Sequence, residues 1–207
     1  MLQSLLLVLS LCLDTFVASI AYGADKIKIP FYSSIIINLI CSLFLGISIF
    51  LGDILNNFIP INLATFFSFI LLLSLGIYRI FEVFLKKYIR KVSSKDKPIT
   101  FKVFDFKFVL QIYADETKAD YDNSKLLSAK EAFYLAVALS LDSLAVGFSS
   151  GLVYINYTQV ILLCFLVGIL CLTLGSHIGK YFANIIDINL SWISGVLLII
   201  LAIMRTF

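Results

Sequence analysis

Charged residues are scarce in this sequence: they make up 14% of its 207 residues, whereas hydrophobic residues make up 61%. Soluble globular domains carry about 25% charged residues, so the composition excludes that class. Apolar runs of about twenty residues recur along the chain, and each is long enough to cross ~30 Å of hydrocarbon. The sequence therefore predicts a multi-pass membrane protein in contact with the lipid bilayer.

Several motifs are also missing. The four cysteines never form a Cys-x-x-Cys pair, which removes the usual zinc and dithiol patterns, and we expect no tightly bound cofactor. The absence of a basic stripe with interleaved aromatics argues against a nucleic-acid partner. The lack of a Ser/His or metalloprotease motif argues against an enzyme. No Lys or Arg precedes the first apolar run, so residues 2–22 are predicted to be a retained span rather than a signal peptide.

Hydropathy divides the chain into six apolar segments separated by Gly, Pro, Asn and Asp. Segments of this length satisfy their backbone in lipid only as helices, so the predicted fold is all-α. The predicted spans are Leu2–Tyr22, Phe31–Leu51, Leu63–Phe84, Phe133–Val153, Tyr157–Tyr181 and Ile188–Met204.

The basic residues predict the orientation. With the N-terminus outside, the inner loops and the inner end of span three hold every Lys and Arg except Arg205, as the positive-inside rule requires. Both termini are then extracytoplasmic in the cell membrane. We divide the chain into a first three-helix repeat (residues 1–85), a cytoplasmic linker (86–128) and a second repeat (129–207).

Each half carries one carboxylate in the middle of its first apolar segment. Asp14-Thr-Phe-Val-Ala in the first half corresponds to Asp142-Ser-Leu-Ala-Val in the second. The repeat continues where Gly52–Leu63 aligns with Gly179–Leu190 at six identical positions of twelve. Three is an odd number of spans, so the two copies must be inserted in opposite directions. Inverted repeats are typical of transporters whose substrate site lies at the midplane.

Intramembrane carboxylates are costly and mark functional sites by default. Two carboxylates brought together repel each other unless a cation lies between them, and oxygen ligands suit hard divalent ions such as Mn²⁺. We therefore predict a metal site at Asp14 and Asp142; the alternative is that each carboxylate only bonds a neighbouring helix and fixes its packing. Candidate supporting ligands are Ser10, Asn38, Ser42 and Ser149; for Asn38 and Ser42 the alternative role is packing.

The linker offers a second candidate site. Asp120, Asp122, Ser124 and Glu131 have the spacing of ligands in an EF-hand-like calcium loop, although Lys125 stands where the sharp turn favours Gly. This predicts at most a weak Ca²⁺ site. In the competing interpretation, Ser128-x-x-Glu131 is a capping box that opens span four. Upstream, the alternation of apolar residues over 104–112 predicts a short strand or an interfacial segment.

The paired motifs around Asp14 and Asp142 resemble those of the MntP-type manganese efflux pumps. The linker, with Lys118-Ala-Asp-Tyr-Asp-Asn-Ser124, is similar to the sporulation-associated YtaF branch, which usually has Gly where Lys125 stands. The pumps carry an acidic residue in span two, where this chain has Asn38 and Ser42. The resemblance implies export of a divalent cation, Mn²⁺ first, by alternating access. The alternative is a non-transporting membrane protein with a structural or signalling role in sporulation.

Overall fold

A computed structural model of the chain describes residues 2–93, 109, 111–113, 115–153, 156–182 and 191–206. Six long helices make up most of this part of the chain. They are α1 (Leu2–Ala24), α2 (Phe31–Asn56), α3 (Ile61–Ser93), α4 (Ala129–Gly151), α5 (Tyr157–Phe182) and α6 (Ser191–Thr206). A short 3₁₀ turn, Glu116–Ala119, lies in the linker. The prediction of an all-helical protein is thus confirmed for the described residues.

Five of these helices are long and apolar enough to cross a membrane, and they coincide with the first five predicted spans. The predicted and observed starts agree because of residues that favour the start of a helix: Pro30 precedes α2, and Ser128 is the N-cap of α4. Helix α6 has 16 residues, which corresponds to ~24 Å at 1.5 Å per residue. The first residues of the sixth predicted span, 188–190, lie outside the described part.

Two features of the linker depart from simple hydropathy. Helix α3 continues to Ser93, so residues 86–93, which the sequence assigns to the linker, extend the third helix. Of the segment predicted as a strand or interfacial stretch, the structure describes residues 109, 111 and 112, and all three are helical. The strand alternative is therefore wrong for these three residues.

The helices pair across the two halves of the chain rather than within them. Helix α1 packs mainly against α5, α2 mainly against α4, and α3 mainly against α6. Each of the first three helices thus has its largest contact with a helix from the second half. The core is shared between the halves, and neither half is packed independently of the other.

Glycine lets the two largest helix pairs approach closely. A Cβ at Gly23 of α1 would lie 2.9 Å from the Cα of Gly179 on α5, and a Cβ at Gly52 of α2 would lie 2.9 Å from the Cα of Gly151 on α4. Small residues at such crossings are typical of helix packing in membranes. Since no side chain fits in either place, backbone meets backbone at both crossings.

A serine lies against a glycine one turn from each of these crossings. Ser19 of α1 faces Gly175 of α5, and its hydroxyl donates to the carbonyl of Cys171 at 3.1 Å. Ser48 of α2 faces Gly147 of α4, and its hydroxyl donates to the carbonyl of Leu144. In each pair, the small glycine makes room for the serine of the facing helix.

The second part of the linker packs against one end of the bundle. The Tyr22 hydroxyl at the end of α1 donates to the carbonyl of Glu116 at 2.6 Å, and the Ser33 hydroxyl at the start of α2 donates to that of Leu127 at 2.7 Å. A single parallel bridge pairs Lys28 with Leu126. The α1–α2 loop and the linker therefore lie on the same side of the helices, which we call the linker side.

Candidate functional site

Asp14 and Asp142 both lie near the middle of their helices. Each is preceded by about 12 helical residues, or ~18 Å of helix at 1.5 Å per residue, and each is half-buried. Helices α1 and α4, which carry them, contact each other. The predicted convergence of the two carboxylates on one ion stays a prediction.

A tyrosine of the linker reaches one of the two carboxylates. The hydroxyl of Tyr113 donates a hydrogen bond of 3.0 Å to Oδ1 of Asp142. Hydrogen bonds to an ionised carboxylate are about twice as strong as those between neutral groups. This contact was not predicted from the sequence. The one available signal was the apolar stretch that ends at Ile112, which is too hydrophobic for a loop exposed to water.

The predicted supporting residues are buried, and their hydroxyls have partners close by. Ser10 donates to the carbonyl of Leu7 at 2.8 Å and Ser42 to that of Leu39 at 3.0 Å, both within their own helices. Ser149 of α4 exchanges hydrogen bonds with Ser68 of α3. Each of these serines thus has a hydrogen-bond partner within the protein, and its role as a metal ligand stays a prediction.

Asn38 occupies the place where the resemblance leads one to expect an acidic residue. Its side chain is 4% exposed, and its Nδ2 donates to the carbonyl of Ser34 at 2.9 Å. Its Oδ1 lies against the backbone of Gly168 on α5, where a Cβ would overlap with it. Asn38 therefore lies in the α2–α5 interface, with its amide oxygen directed at another helix.

The thiols are likewise used in packing. Cys12 lies within hydrogen-bonding range of the Cys164 carbonyl at 3.9 Å, and Cys41 within range of the Ala136 carbonyl at 3.7 Å. All four cysteines are free. They therefore contribute small polarisable side chains to helix interfaces.

The linker brings three predicted ligands together. Carboxylate oxygens of Asp120, Asp122 and Glu131 lie within 4.8 Å of one another. Their oxygens already accept hydrogen bonds from backbone N–H groups. The N–H groups of Ser124 and Lys125 donate to the two oxygens of Asp120, at 3.1 and 3.2 Å. The carboxylates of this loop are thus hydrogen-bonded to its own backbone, and the weak Ca²⁺ site stays a prediction.

Glu131 is engaged in the same way. Its Oε1 accepts from the N–H of Tyr121 at 3.0 Å and its Oε2 from the N–H of Ser128 at 2.8 Å, while the Ser128 hydroxyl accepts from the N–H of Glu131. This is the capping box predicted as the alternative to calcium binding, and it is confirmed.

Two further details describe the loop. Lys125 has φ of 59°, in the left-handed region that favours glycine, so the sharp turn forms despite the missing Gly. Hydrogen bonds from Ser124 hold the pKa of the exposed Asp122 carboxyl below its usual range. Because the pKa is lowered, the ionised Asp122 carboxyl stabilises the folded loop above the ordinary carboxyl pKa. This stabilisation is lost as the pH falls through the lowered value.

Long apolar helices with a half-buried carboxylate in the middle of two of them define a multi-pass helical membrane protein. The family model described as "Putative manganese efflux pump" matches residues 26–204. The chain therefore belongs to the manganese efflux pump family, a family of membrane transporters, and the resemblance seen in its motifs is confirmed.

One relative agrees over the whole length. The "Probable sporulation protein YtaF" of Bacillus subtilis (strain 168) is 24% identical over 207 residues, which cover 99% of each chain. No solved structure matches the chain.

Proposed function

We propose that this protein exports a divalent cation, with Mn²⁺ as the first candidate, by alternating access through a six-span bundle of two inverted repeats. Asp14 and Asp142 are the cation ligands in this proposal. The observation that carries it is the presence of one half-buried carboxylate in the middle of each of two contacting apolar helices, in a chain of the manganese efflux pump family.

The contacts between helices support the repeat. In the repeat, a residue of α1 is equivalent to the residue 128 positions later in α4, as Asp14 is to Asp142. A residue of α2 is equivalent to the residue 127 positions later in α5, as Gly52 is to Gly179. Under this correspondence the Gly23–Gly179 contact is the equivalent of the Gly151–Gly52 contact. The Ser19–Gly175 and Ser48–Gly147 contacts obey the same rule, with serine and glycine exchanged.

The linker contacts support the inversion of one repeat relative to the other. The end of α1 at Tyr22 and the start of α4 near Leu127 both lie on the linker side. Corresponding helices of the two halves therefore run in opposite directions. An axis in the membrane plane relates two such units, and substrate sites of transporters lie where the units meet.

The chemistry follows from charge. A divalent ion neutralises two carboxylates that would otherwise repel each other in a medium of low dielectric constant. Ionised carboxylates, hydroxyls and carbonyl oxygens are ligands for hard ions. In the outward-open state, protons can replace the ion on the same oxygens. The protein then returns to its inward-open state with both carboxylates protonated and therefore neutral.

The test is the metal content of cells that express matched variants. We expect Asp14→Asn and Asp142→Asn each to abolish Mn²⁺ export, because Asn keeps the shape and removes the charge. Asp53→Asn is the matched control: Asp53 also lies on a helix and accepts from a tyrosine, Tyr157, at 2.6 Å, but it is at the end of α2. Wild-type export by either Asp14 or Asp142 variant would contradict the assignment.

A second function has support from two observations. The relative from Bacillus subtilis is named as a sporulation protein, and the second span carries buried Asn38 rather than a carboxylate. A non-transporting role in sporulation predicts that cells with and without the protein contain the same amount of Mn²⁺, while deletion lowers the yield of spores. The metal measurement above therefore separates the two functions.

A further inference from the structure

The linker segment around Tyr113 is part of the core of the bundle. Ile112 is fully buried and belongs to a cluster with Ile37 of α2, Ala138 of α4 and Leu172 of α5. Ala138 lies one helical turn before Asp142. The segment thus reaches between the helices to the depth of the candidate site, and it is held there by apolar burial.

The linker also connects the two helices that carry the carboxylates. The turn Glu116–Ala119 contacts both α1 and α4, whereas α1 and α4 have their main contacts with other helices. The hydrogen bond from Tyr22 to the Glu116 carbonyl ties this turn to the end of α1. On the linker side, the turn Glu116–Ala119 therefore bridges the two carboxylate-bearing helices.

We infer that Tyr113 is a positioning residue of the cation site: its hydroxyl holds the Asp142 carboxylate, so that the cation binds tightly only while the linker is docked. The inference rests on the proposed function, because it takes Asp142 to be a ligand. A carboxylate oxygen has two lone pairs, so one oxygen can accept from Tyr113 while the carboxylate coordinates an ion. Groups that hydrogen-bond to metal ligands orient them and raise affinity by about 10- to 100-fold.

Thermodynamic linkage gives the inference a second consequence. If the docked linker raises the affinity for the cation, the cation must favour docking of the linker by the same factor. Binding of the ion then favours the hydrogen bond between Tyr113 and Asp142, and loss of that bond favours release of the ion. The docked linker and the bound ion thus stabilise each other.

The first measurement is Mn²⁺ affinity of the purified full-length protein by calorimetry. We expect Tyr113→Phe to weaken binding by about 10- to 100-fold. Tyr157→Phe is the matched control, since it removes an equally direct tyrosine–aspartate hydrogen bond, to Asp53, from the opposite end of the bundle, and we expect it to bind like wild type. Tyr22→Phe removes a different contact of the linker and should weaken binding by a smaller factor.

The second measurement reports on docking and would not respond to a merely structural tyrosine. Ile112→Cys places a thiol in the buried segment, and the native cysteines of the parent protein give the background. We expect Mn²⁺ to slow modification of this thiol by a water-soluble maleimide. When Tyr113→Phe is added, Mn²⁺ at the same concentration should protect the thiol about 10- to 100-fold less.

The outcomes separate the inference from the function on which it rests. If Asp142→Asn binds Mn²⁺ like wild type, Asp142 is not a ligand, and both fail. If Asp142→Asn loses binding while Tyr113→Phe keeps wild-type affinity, only the inference fails. Tighter binding by Tyr113→Phe, or faster modification of the thiol with Mn²⁺, would show that the linker and the cation compete for Asp142, which is the opposite of the inference.

Discussion

Gly23 of α1 and Gly179 of α5 are in direct backbone contact, and the Cβ of any other residue at Gly23 would lie 2.9 Å from the Cα of Gly179. Gly52 and Gly151 make the equivalent contact between α2 and α4. These two contacts set the spacing of the two largest helix pairs, α1–α5 and α2–α4. The spacing in turn sets how closely the helices carrying Asp14 and Asp142 are held to their partners.

Substitution of Gly23 or Gly52 by Ala should therefore destabilise the protein by about 1–3 kcal/mol, the usual cost of overpacking. Both changes should lower the midpoint of thermal unfolding in detergent, and by similar amounts. Gly46→Ala is the control, because its Cβ would meet only the flexible end of Ile161, at 3.2 Å. If Gly46→Ala were as harmful as Gly23→Ala, a general cost of altering helix glycines would explain the data better.

The exchanged serine–glycine pairs predict a rescue. Gly147→Ser should be destabilising, since its Cβ would lie 3.0 Å from the Cβ of Ser48. Adding Ser48→Gly places serine on α4 and glycine on α2, which is the arrangement of Ser19 and Gly175 in the corresponding pair α1–α5. We expect the double variant to recover part of the lost stability, a non-additive effect typical of residues in contact; the contacts with Leu45, at 3.0 and 3.2 Å, remain. Additive losses in the thermal midpoints would argue against equivalence of the two pairs.

The left-handed backbone at Lys125 predicts that glycine at this position stabilises the loop. The conformation costs a non-glycine residue about 1–2 kcal/mol, and the hydrogen bonds at this position come from the backbone, so Lys125→Gly keeps them. We expect slower proteolysis of the linker in the variant. Asn123→Gly is the comparison, because Asn123 has φ of 52° and asparagine tolerates this region better, so it should gain less.

The linker carboxylates, which already accept hydrogen bonds from the backbone, are expected to bind calcium only weakly. The oxygens of Asp120 and Glu131 already accept backbone N–H groups, so an ion can use only their remaining lone pairs. Lys125 also places a positive charge in the same loop. Calorimetric titration of the full-length protein with CaCl₂ should give no affinity tighter than ~10⁻⁵ M, the weak end of the sensor range. Tighter binding that disappears in Asp122→Asn would make the loop a calcium site after all.

Loss of the capping box is predicted to destabilise the start of α4 locally. Glu131→Ala removes the acceptor for two backbone N–H groups, from Tyr121 and Ser128, and loss of a cap costs about 0.5–2 kcal/mol. Hydrogen exchange should rise in the first turn of α4 and in the loop before it. Lys130→Ala, at an exposed neighbour, should leave exchange there unchanged.

Hydropathy, together with the Gly, Pro, Asn and Asp residues between the apolar segments, located the first five membrane spans to within a few residues. It could do so because crossing the lipid requires a fixed length of apolar helix. The capping box was also visible, because its partners are three residues apart. Other features were invisible for physical reasons. The end of α3 at Ser93 lies beyond the apolar segment, where helix propensity rather than hydropathy decides. The contact of Tyr113 with Asp142 joins residues 29 positions apart and depends on the packing of the segment around Ile112 between the helices.

The pairing of helices across the two halves has a consequence for how the chain is made. Gly52 meets its partner Gly151 only after roughly 100 more residues have been synthesised, which takes about 5–20 s at the usual rate of translation. Until then α1, α2 and α3 lack the helices against which they pack most extensively. The first half of the chain is therefore made before the partners of its largest contacts, and Asp14 of α1 has no α4 beside it during this interval.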